Sequence, residues 1–456
     1  MTNEIRREIY SLAIPVVFSS LLQRMTTIVD IILVGGLGAA AIATVGLGQL
    51  MVLLVMTLGW GLAAGTTVVV AQLWGAQQRD DASRVAFQSV VIGAILGIII
   101  SVVGVFASQY GAVFVGANPD VLSLATPYLR IIFLCFTCSL LVNLVSGVMY
   151  GAGDARSPLW AAIVMNVIHV LLAYPLIHGL WGLPTLGVTG VAVATAVSEC
   201  SGAAFLLYVA FKKRLIRTGR VPQSVMAPVW RIGIPVLGDR LLQQVGQLLY
   251  VKAIILYGTV AYAAHQVGMA IEAISFLPGL GISLAATTAV GQRLGAQRVR
   301  QAVLANREAM RLAVIVMTGM GLVFFFAPST LLRLFTDDPD VIALGVSFLK
   351  IAAIIQVPMA ITLVLSGSLR GAGDTAFLFW STFVGSWALR VPLAWLCATV
   401  WHADLTIVWS LMALDWTVRM SMLVHRYRTD HWQRGVLGHE EVEPAGESSL
   451  VSIRAA

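Results

Sequence analysis

Apolar residues fill most of this chain in stretches too long for the helices or strands of a water-exposed core. A helix needs about 20 apolar residues to cross the hydrocarbon of a bilayer. Stretches of that kind fall at roughly 11–36, 44–74, 86–109, 121–150, 157–178, 187–211, 229–257, 260–291, 303–330, 340–370, 376–400 and 404–425. They far exceed the short alternating segments of a membrane barrel. The pattern therefore predicts an all-α integral membrane protein with twelve transmembrane helices.

From around Pro15 to Asp154 the chain also repeats itself without gaps at a shift of 220 residues. Ile14-Pro15-Val16 returns as Ile234-Pro235-Val236, and Leu21-Leu22-Gln23 as Leu241-Leu242-Gln243. Gly75-Ala76-Gln77 returns as Gly295-Ala296-Gln297, Pro119-Asp120-Val121 as Pro339-Asp340-Val341, and Gly151-Ala152-Gly153-Asp154 as Gly371-Ala372-Gly373-Asp374. Six spans per copy bring the chain back to its starting side, so the copies form two parallel six-helix repeats, with a site expected between them near the bilayer midplane. The boundaries read as an N-terminal lobe over 1–211, a linker over 212–228, a C-terminal lobe over 229–428 and a tail over 429–456. Pro222 and Pro228 argue against a continuous helix in the linker, and Pro15 and Pro235 predict equivalent kinks in spans one and seven. The Gly-Ala-Gly-Asp segments read as turns, with aspartate capping the next helix. They contain no lysine, which argues against a phosphate cradle.

Composition agrees with this picture: 58% of residues are hydrophobic and 11% charged. The formal charge of +7 is mainly a topology signal. Arg6, Arg7, Arg79, Arg84, Arg156, the linker bases from Lys212 to Arg220, and Arg298, Arg300, Arg307, Arg370, Arg426, Arg428 and Arg434 fall on one side, against essentially Arg333 on the other. The positive-inside rule places both termini in the cytoplasm of an inner-membrane protein. Dispersal of the bases over many loops argues against nucleic acid as a partner. The run after Arg6-Arg7 is too long for a cleavable signal core. Cys135 and Cys138 make a CxxC, which read inside span four as small buried side chains rather than a redox or metal centre.

Ionisable residues inside spans are where chemistry is expected, since each is costly unless paired or hydrated. Gln23, Thr26 and Asp30 form a polar stripe at helical spacing in span one. Asp30 fits either a coupling carboxylate or a structural hydrogen-bonding one. His169 fits either a proton shared with Asp30 or a neutral imidazole bonded to backbone. Counting ~1.5 Å per residue puts Arg390 and Asp415 at similar depth on spans eleven and twelve, and Lys252 and Glu272 on spans seven and eight. Both sets read as ion pairs, against a direct role in binding cations. Asp239 and Arg240 begin a second stripe through Gln243, Gln247 and Tyr250, read as cleft-lining. Glu272, seven residues after His265 on one helical face, joins these as a candidate substrate residue.

Val29-Asp30-Ile31-Ile32-Leu33-Val34-Gly35-Gly36-Leu37-Gly38, the Ala263-Ala264-His265-Gln266 opening of span eight, the paired Gly-Ala-Gly-Asp turns and the Arg426-Tyr427-Arg428 to Trp432 segment together resemble the multidrug and toxic compound extrusion (MATE) transporters. The resemblance covers roughly residues 5–434 and the same twelve-span, two-lobe layout. It implies an antiporter that exports cationic or amphipathic organic molecules against H+ or Na+ entry, with an essential acidic residue at the place of Asp30. Relatives often carry Asn and, four residues later, Asp in span five, where this chain has His169 and Ala173, with Asn166 a turn earlier. That departure disfavours a two-carboxylate Na+ site and favours H+. Gln243 stands where the NorM-like branch has a glutamate, so the ion site resembles that of the DinF-like branch. Asp30 is then the carrier, Gln23, Thr26, Asn166 and His169 its surroundings, and Gln243, Gln247, Tyr250 and Glu272 the substrate candidates.

No nucleotide-binding G-x-x-x-x-G-K-[ST] is present, so active transport must draw on an ion gradient. A monomer in the lipid bilayer with a small organic substrate is expected, and no cofactor beyond the coupling ion. A flippase for a lipid-linked precursor is the nearest alternative. A membrane-embedded enzyme lacks its H-E-x-x-H or Ser/Lys constellation, and a channel lacks a repeated filter sequence.

Overall fold

The computed structural model describes residues 2–182, 184–429 and 431–435. Among them every regular element is helical. The first lobe holds α1 (Thr2–Gly35), α2 (Ala39–Gly75), α3 (Arg79–Phe114), α4 (Pro119–Leu134), α5 (Phe136–Gly151), α6 (Arg156–His178) and α7 (Val188–Lys212). The second holds α8 (Gln223–Ile255), α9 (Thr259–Gly295), α10 (Val299–Phe326), α11 (Pro328–Arg333), α12 (Pro339–Ala372), α13 (Thr375–Thr382), a π-helical segment Phe383–Arg390, α14 (Val391–Thr399) and α15 (Leu405–Arg428). Twelve helical passages result when α4 with α5, and α13 through α14, each count once and the six-residue α11 is set aside. Nine of the described helices are individually long and apolar enough to span a membrane, and α4 with α5, bent by 46°, makes a tenth. The other two passages fall short: α8 because Arg231, Asp239, Arg240 and Lys252 dilute its apolar run, and α13 to α14 because it is divided into pieces of eight, eight and nine residues.

The repeat governs backbone detail. α2 and α9 start and stop 220 residues apart, and α1 and α8 stop 220 apart. Gly38 and Gly258 enter α2 and α9 with the same φ of 99° and ψ of 173°, a conformation only glycine takes without strain. Asp30 and Tyr250 thus occupy equivalent places. The copies differ where α4 breaks at Cys135 while α12 runs straight through.

Three expectations need correction. α8 begins at Gln223, directly after Pro222, and continues through Pro228, because the ring sits near the helix start and sacrifices one backbone bond. The linker is therefore shorter than 212–228. It is pinned to the first lobe by Arg217 on Asp80 and by Ser83 Oγ, which donates to the Arg214 carbonyl at 2.9 Å. The beginning of the expected tail is packed: Trp432 is buried and stacks on Tyr427 with centroids 4.7 Å apart. Residues 436–456 lie outside the described residues.

The Gly-Ala-Gly-Asp segments are turns, with Gly153 and Gly373 at φ of 86° and 88°. Asp154 accepts from Ser157 N at 3.1 Å, Ser157 Oγ at 2.7 Å and Lys213 Nζ at 2.6 Å. Burial alone would raise its pKa, but these hydrogen bonds outweigh it and hold the carboxyl below its ordinary range.

The lobes meet at the end bearing the arginine-rich loops. α1 packs on α9 and α10, α8 packs on α2, and α2 on α9. A Cβ on Gly75 would lie 1.8 Å from the Gln292 carbonyl oxygen, and one on Gly295 would lie 1.9 Å from that of Gln72. Gln72 Nε2 donates to the Gly371 carbonyl at 2.9 Å, and Gln292 Nε2 to that of Gly151 at 2.8 Å, a reciprocal pair related by the repeat. Arg293 on Glu8 at 2.8 Å and Arg6 on Glu308 at 3.0 Å add ion pairs across the junction. These hydrogen bonds and ion pairs between the lobes all fall at this end. Residues 59–75 of α2 are mostly buried, whereas exposed positions recur through 39–58.

Gly75→Ala and Gly295→Ala should each force this junction apart and cost about 1–3 kcal/mol of stability by overpacking. A lower melting temperature in detergent, for these variants but not for Gly319→Ala, which has open space around it, is the expected result.

Candidate functional site

In the first lobe the structure joins α1 to α6 through polar side chains. Asp30 Oδ1 lies 2.6 Å from His169 Nε2, both side chains buried. One turn away, Thr26 Oγ1 donates to Asn166 Oδ1 at 2.6 Å, and Asn166 Nδ2 donates to the Ala162 carbonyl at 2.8 Å. Tyr128 of α4, buried behind Gly48, is the phenol within electrostatic reach of Asp30. Asp30, Thr26, Asn166 and His169 are thus brought together. Gln23 stands apart, exposed and outside this network. The 2.6 Å contact puts His169 Nε2 on the Asp30 carboxylate rather than on a backbone carbonyl.

A carboxylate and an imidazole can each hold or give up a proton, so a contact between them can pass a proton from one to the other. This is the chemistry a coupling site needs. Nδ1 of His169 is buried with no hydrogen-bond partner.

The second lobe is built differently. Arg390 Nη1 lies 3.4 Å from Asp415 Oδ2, as the depth count expects. Arg419, one turn after Asp415 and absent from that expectation, donates from Nε to Asp415 Oδ1 at 2.6 Å. The π-helical segment carries Arg390 into this knot, where its guanidinium also lies 5.0 Å from the Tyr250 ring centroid. Gly385 permits the approach of α15, since a Cβ there would sit 2.2 Å from Asp415 Oδ1.

Two expectations fail here. Lys252 is exposed and forms no ion pair with Glu272; Arg390 is the charge acting on that buried carboxylate. Tyr250 does not line a cleft: it is fully buried and its hydroxyl donates to the Val408 carbonyl at 2.8 Å. Both outcomes follow from helix geometry, since positions 250 and 252 lie about 200° apart around α8. Trp387 and Trp395 donate to the carbonyls of Leu242 and Leu249, which seats that face of α8 inside the lobe.

Gln243 and Gln247 are half-buried, and Gln243 Nε2 donates to Asp239 Oδ2 at 3.0 Å. Arg370 is the electrostatic neighbour of Asp239 and Arg240, and Arg240 lies over Trp60 of the opposite lobe at 5.3 Å. These groups form the floor where the lobes close. Among the described residues no cluster of three or more potential metal ligands occurs. Cys138 Sγ lies 3.1 Å from Cys200 Sγ rather than acting with Cys135 as a CxxC unit, and all three thiols are half-buried.

The MatE family model matches residues 15–175 and again 235–396, two segments that begin 220 residues apart. The chain belongs to the MATE transporter family. It is 30% identical over 448 residues to a probable multidrug resistance protein NorM of Thermotoga maritima, covering 97% of each chain. In solved structures it is similar to a MOP superfamily transporter of Pyrococcus furiosus, with a TM-score of 0.85, 23% identity and coverage of 94% and 97%. The Vibrio cholerae MATE transporter VcmN in its bent form gives a TM-score of 0.87 at 19% identity, covering 95% and 98%. These structures share the two-lobe, twelve-helix fold, and the chain is a multi-pass membrane transporter rather than an enzyme.

Asp415 holds two arginines, so its removal strands both, whereas removal of Arg390 leaves Arg419 to neutralise the carboxylate. Asp415→Ala should cost about 3–5 kcal/mol, more than Arg390→Met, with part recovered in the double variant. Thermal unfolding of the purified variants checks this, and strictly additive losses would sink the pairing.

Proposed function

We propose that this chain is a secondary-active antiporter that exports cationic or amphipathic organic compounds in exchange for H+ by alternating access. The observation that carries the reading is the buried Asp30–His169 contact at 2.6 Å. It supplies one acidic group whose ion-pair partner among the described residues is itself titratable. The names of relatives, multidrug resistance proteins NorM and MdtK, support an exporter of drugs or toxins.

With both termini in the cytoplasm of an inner membrane, the junction of α2 with α9 closes the cytoplasmic side, and the conformation is outward-open. Protonation from outside neutralises Asp30 and releases substrate; deprotonation toward the cytoplasm restores the anion for the next cation. Thr26 and Asn166 hold α1 and α6 in register. Gln243, Gln247 and Glu272 belong to the substrate side of the second lobe, though Glu272 reaches it from a buried position. The glutamine at 243 keeps the ion site in the first lobe, as in the DinF-like branch. The chain works as a monomer and needs no bound cofactor.

The basic pair Arg240 and Arg370 at the floor favours a second reading, export of an anionic lipid-linked or other specific metabolite. Sealed vesicles containing the purified protein separate these possibilities. Wild type should accumulate a fluorescent organic cation when a pH gradient is imposed, and Asp30→Asn should bind it but not accumulate it. Accumulation by Asp30→Asn, or by wild type under a Na+ gradient alone, would contradict proton coupling at Asp30. Movement of a labelled lipid but no cation would favour the second reading.

A further inference from the structure

A cavity of about 160 Å³ opens at the end bearing the arginine-rich loops, away from the Asp30 site. Arg231 of α8, Asp374 of the second Gly-Ala-Gly-Asp turn and Arg426 of α15 line it, together with His431, Trp432 and Gly435 from the segment after α15. Its walls are fixed by contacts. Arg426 Nε donates to Asp374 Oδ2 at 2.7 Å, and its guanidinium lies 5.3 Å from the Phe377 ring centroid. Trp432 is buried, and its Nε1 donates to the Tyr427 carbonyl at 2.9 Å. Gly435, with a φ of 65°, comes beside Gln72 of the first lobe, since a Cβ there would lie 3.4 Å from Gln72 Oε1.

Charge in this cavity does not balance. Its one carboxylate, Asp374, is taken by Arg426, while Arg231 is exposed and its guanidinium has neither hydrogen bond nor ion pair among the described residues. Two arginines against one aspartate leave a positive charge before His431 is counted. The equivalent turn of the first lobe is neutralised locally. There Asp154 accepts from Lys213 Nζ at 2.6 Å, and the place of Arg231 is taken by Ser11. Ser11 and Arg231 each stand four residues before the kink proline of their helix, Pro15 or Pro235. The added cation is therefore a feature of the second lobe alone.

We propose that this cavity binds a phosphate group, held by Arg231 with Arg426 and His431 beside it. A guanidinium presents two parallel N–H donors to two phosphate oxygens, a geometry that an ammonium cannot match. Asp374 does not repel the anion as a free carboxylate would, because Arg426 neutralises it. Two sources carry this chemistry, the headgroup of an anionic lipid and a soluble phosphate, and the position favours the lipid. Arg231 lies about two turns after the start of α8 at Gln223, next to the exposed Trp230, and tryptophan is enriched at the headgroup level. The positive-inside rule sets this end against the anionic inner leaflet, where basic pockets between helices take lipid headgroups. A phosphate held there braces the segment that reaches Gln72, whose Nε2 makes one of the hydrogen bonds between the lobes.

The test is a melting-temperature titration of the purified full chain in nonionic detergent, with dioctanoyl phosphatidylglycerol or inorganic phosphate added. A ligand that binds only the folded protein raises the melting temperature. Phosphatidylglycerol should do so saturably in wild type, and Arg231→Gln should raise its half-saturating concentration about tenfold. Arg300→Gln, an exposed position at the same end but outside the cavity, should leave that concentration unchanged. No saturable effect of either phosphate source on wild type, or an unchanged value in Arg231→Gln, would overturn the proposal. So would equal weakening in Arg300→Gln, which marks diffuse attraction to a basic surface. If Arg231→Gln does not fold, Arg231→Lys must still raise the half-saturating concentration, and an unchanged value overturns the proposal. Inorganic phosphate that competes with the lipid in wild type but not in Arg231→Gln assigns the site to a soluble phosphate, and lipid binding without such competition assigns it to the headgroup.

Discussion

A carboxylate inside a membrane lobe must be neutralised, either by a fixed cation or by a proton, because hydrocarbon offers no water to solvate it. The two lobes solve this differently, and the repeat sets Tyr250 rather than a carboxylate at the place of Asp30. Asp415 is clasped by Arg419 and Arg390, whose guanidinium groups stay charged at any working pH, so its charge never needs to change. Asp30 is given a histidine. On the proposed reading its neutralisation is conditional on protons, and a charge of that kind is one a proton gradient can work upon.

The conditional charge sits on a helix that also reaches the other lobe. α1 carries Asp30 near one end and Arg6 and Glu8 near the other, where they pair with Glu308 and Arg293. Between them a Cβ on Gly281 of α9 would lie 2.6 Å from Val17 Cγ2, so α1 and α9 are in close backbone contact. At ~1.5 Å per residue the 34 residues of α1 extend ~51 Å. A change in how Asp30 is held on α6 is thus connected, along one helix, to the junction between the lobes. The repeat-related contact of α8 with α2 has Pro228 and Leu73 where α1 and α9 have Glu8 and Arg293, so only the α1 side of the junction carries this ion pair.

Much of the architecture was legible in the chain because a gapless repeat fixes register: the exact correspondence of α2 with α9 was implicit in Gly75-Ala76-Gln77 and Gly295-Ala296-Gln297. Depth counting along spans brought Arg390 to Asp415, since rise per residue is nearly constant. Rotation about a helix is less forgiving. Lys252 and Glu272 matched in depth yet face different ways, and Tyr250 followed Gln243 and Gln247 in spacing but turned into the lobe because Trp387 and Trp395 seat that face of α8. The π-helical segment left no mark on the apolar pattern. Arg419 went unnoticed because Asp415 was matched by depth to another helix, although Arg419 follows it by one turn on its own.

The central claim is that substrate and proton compete through Asp30. Purified wild-type protein in weakly buffered detergent, titrated with an organic cation while pH is recorded, measures this most directly. Release of protons that saturates with substrate, and its loss in Asp30→Asn at unchanged fold, is the predicted result. Substrate binding with no proton release, or equal release from Asp30→Asn, would contradict the account.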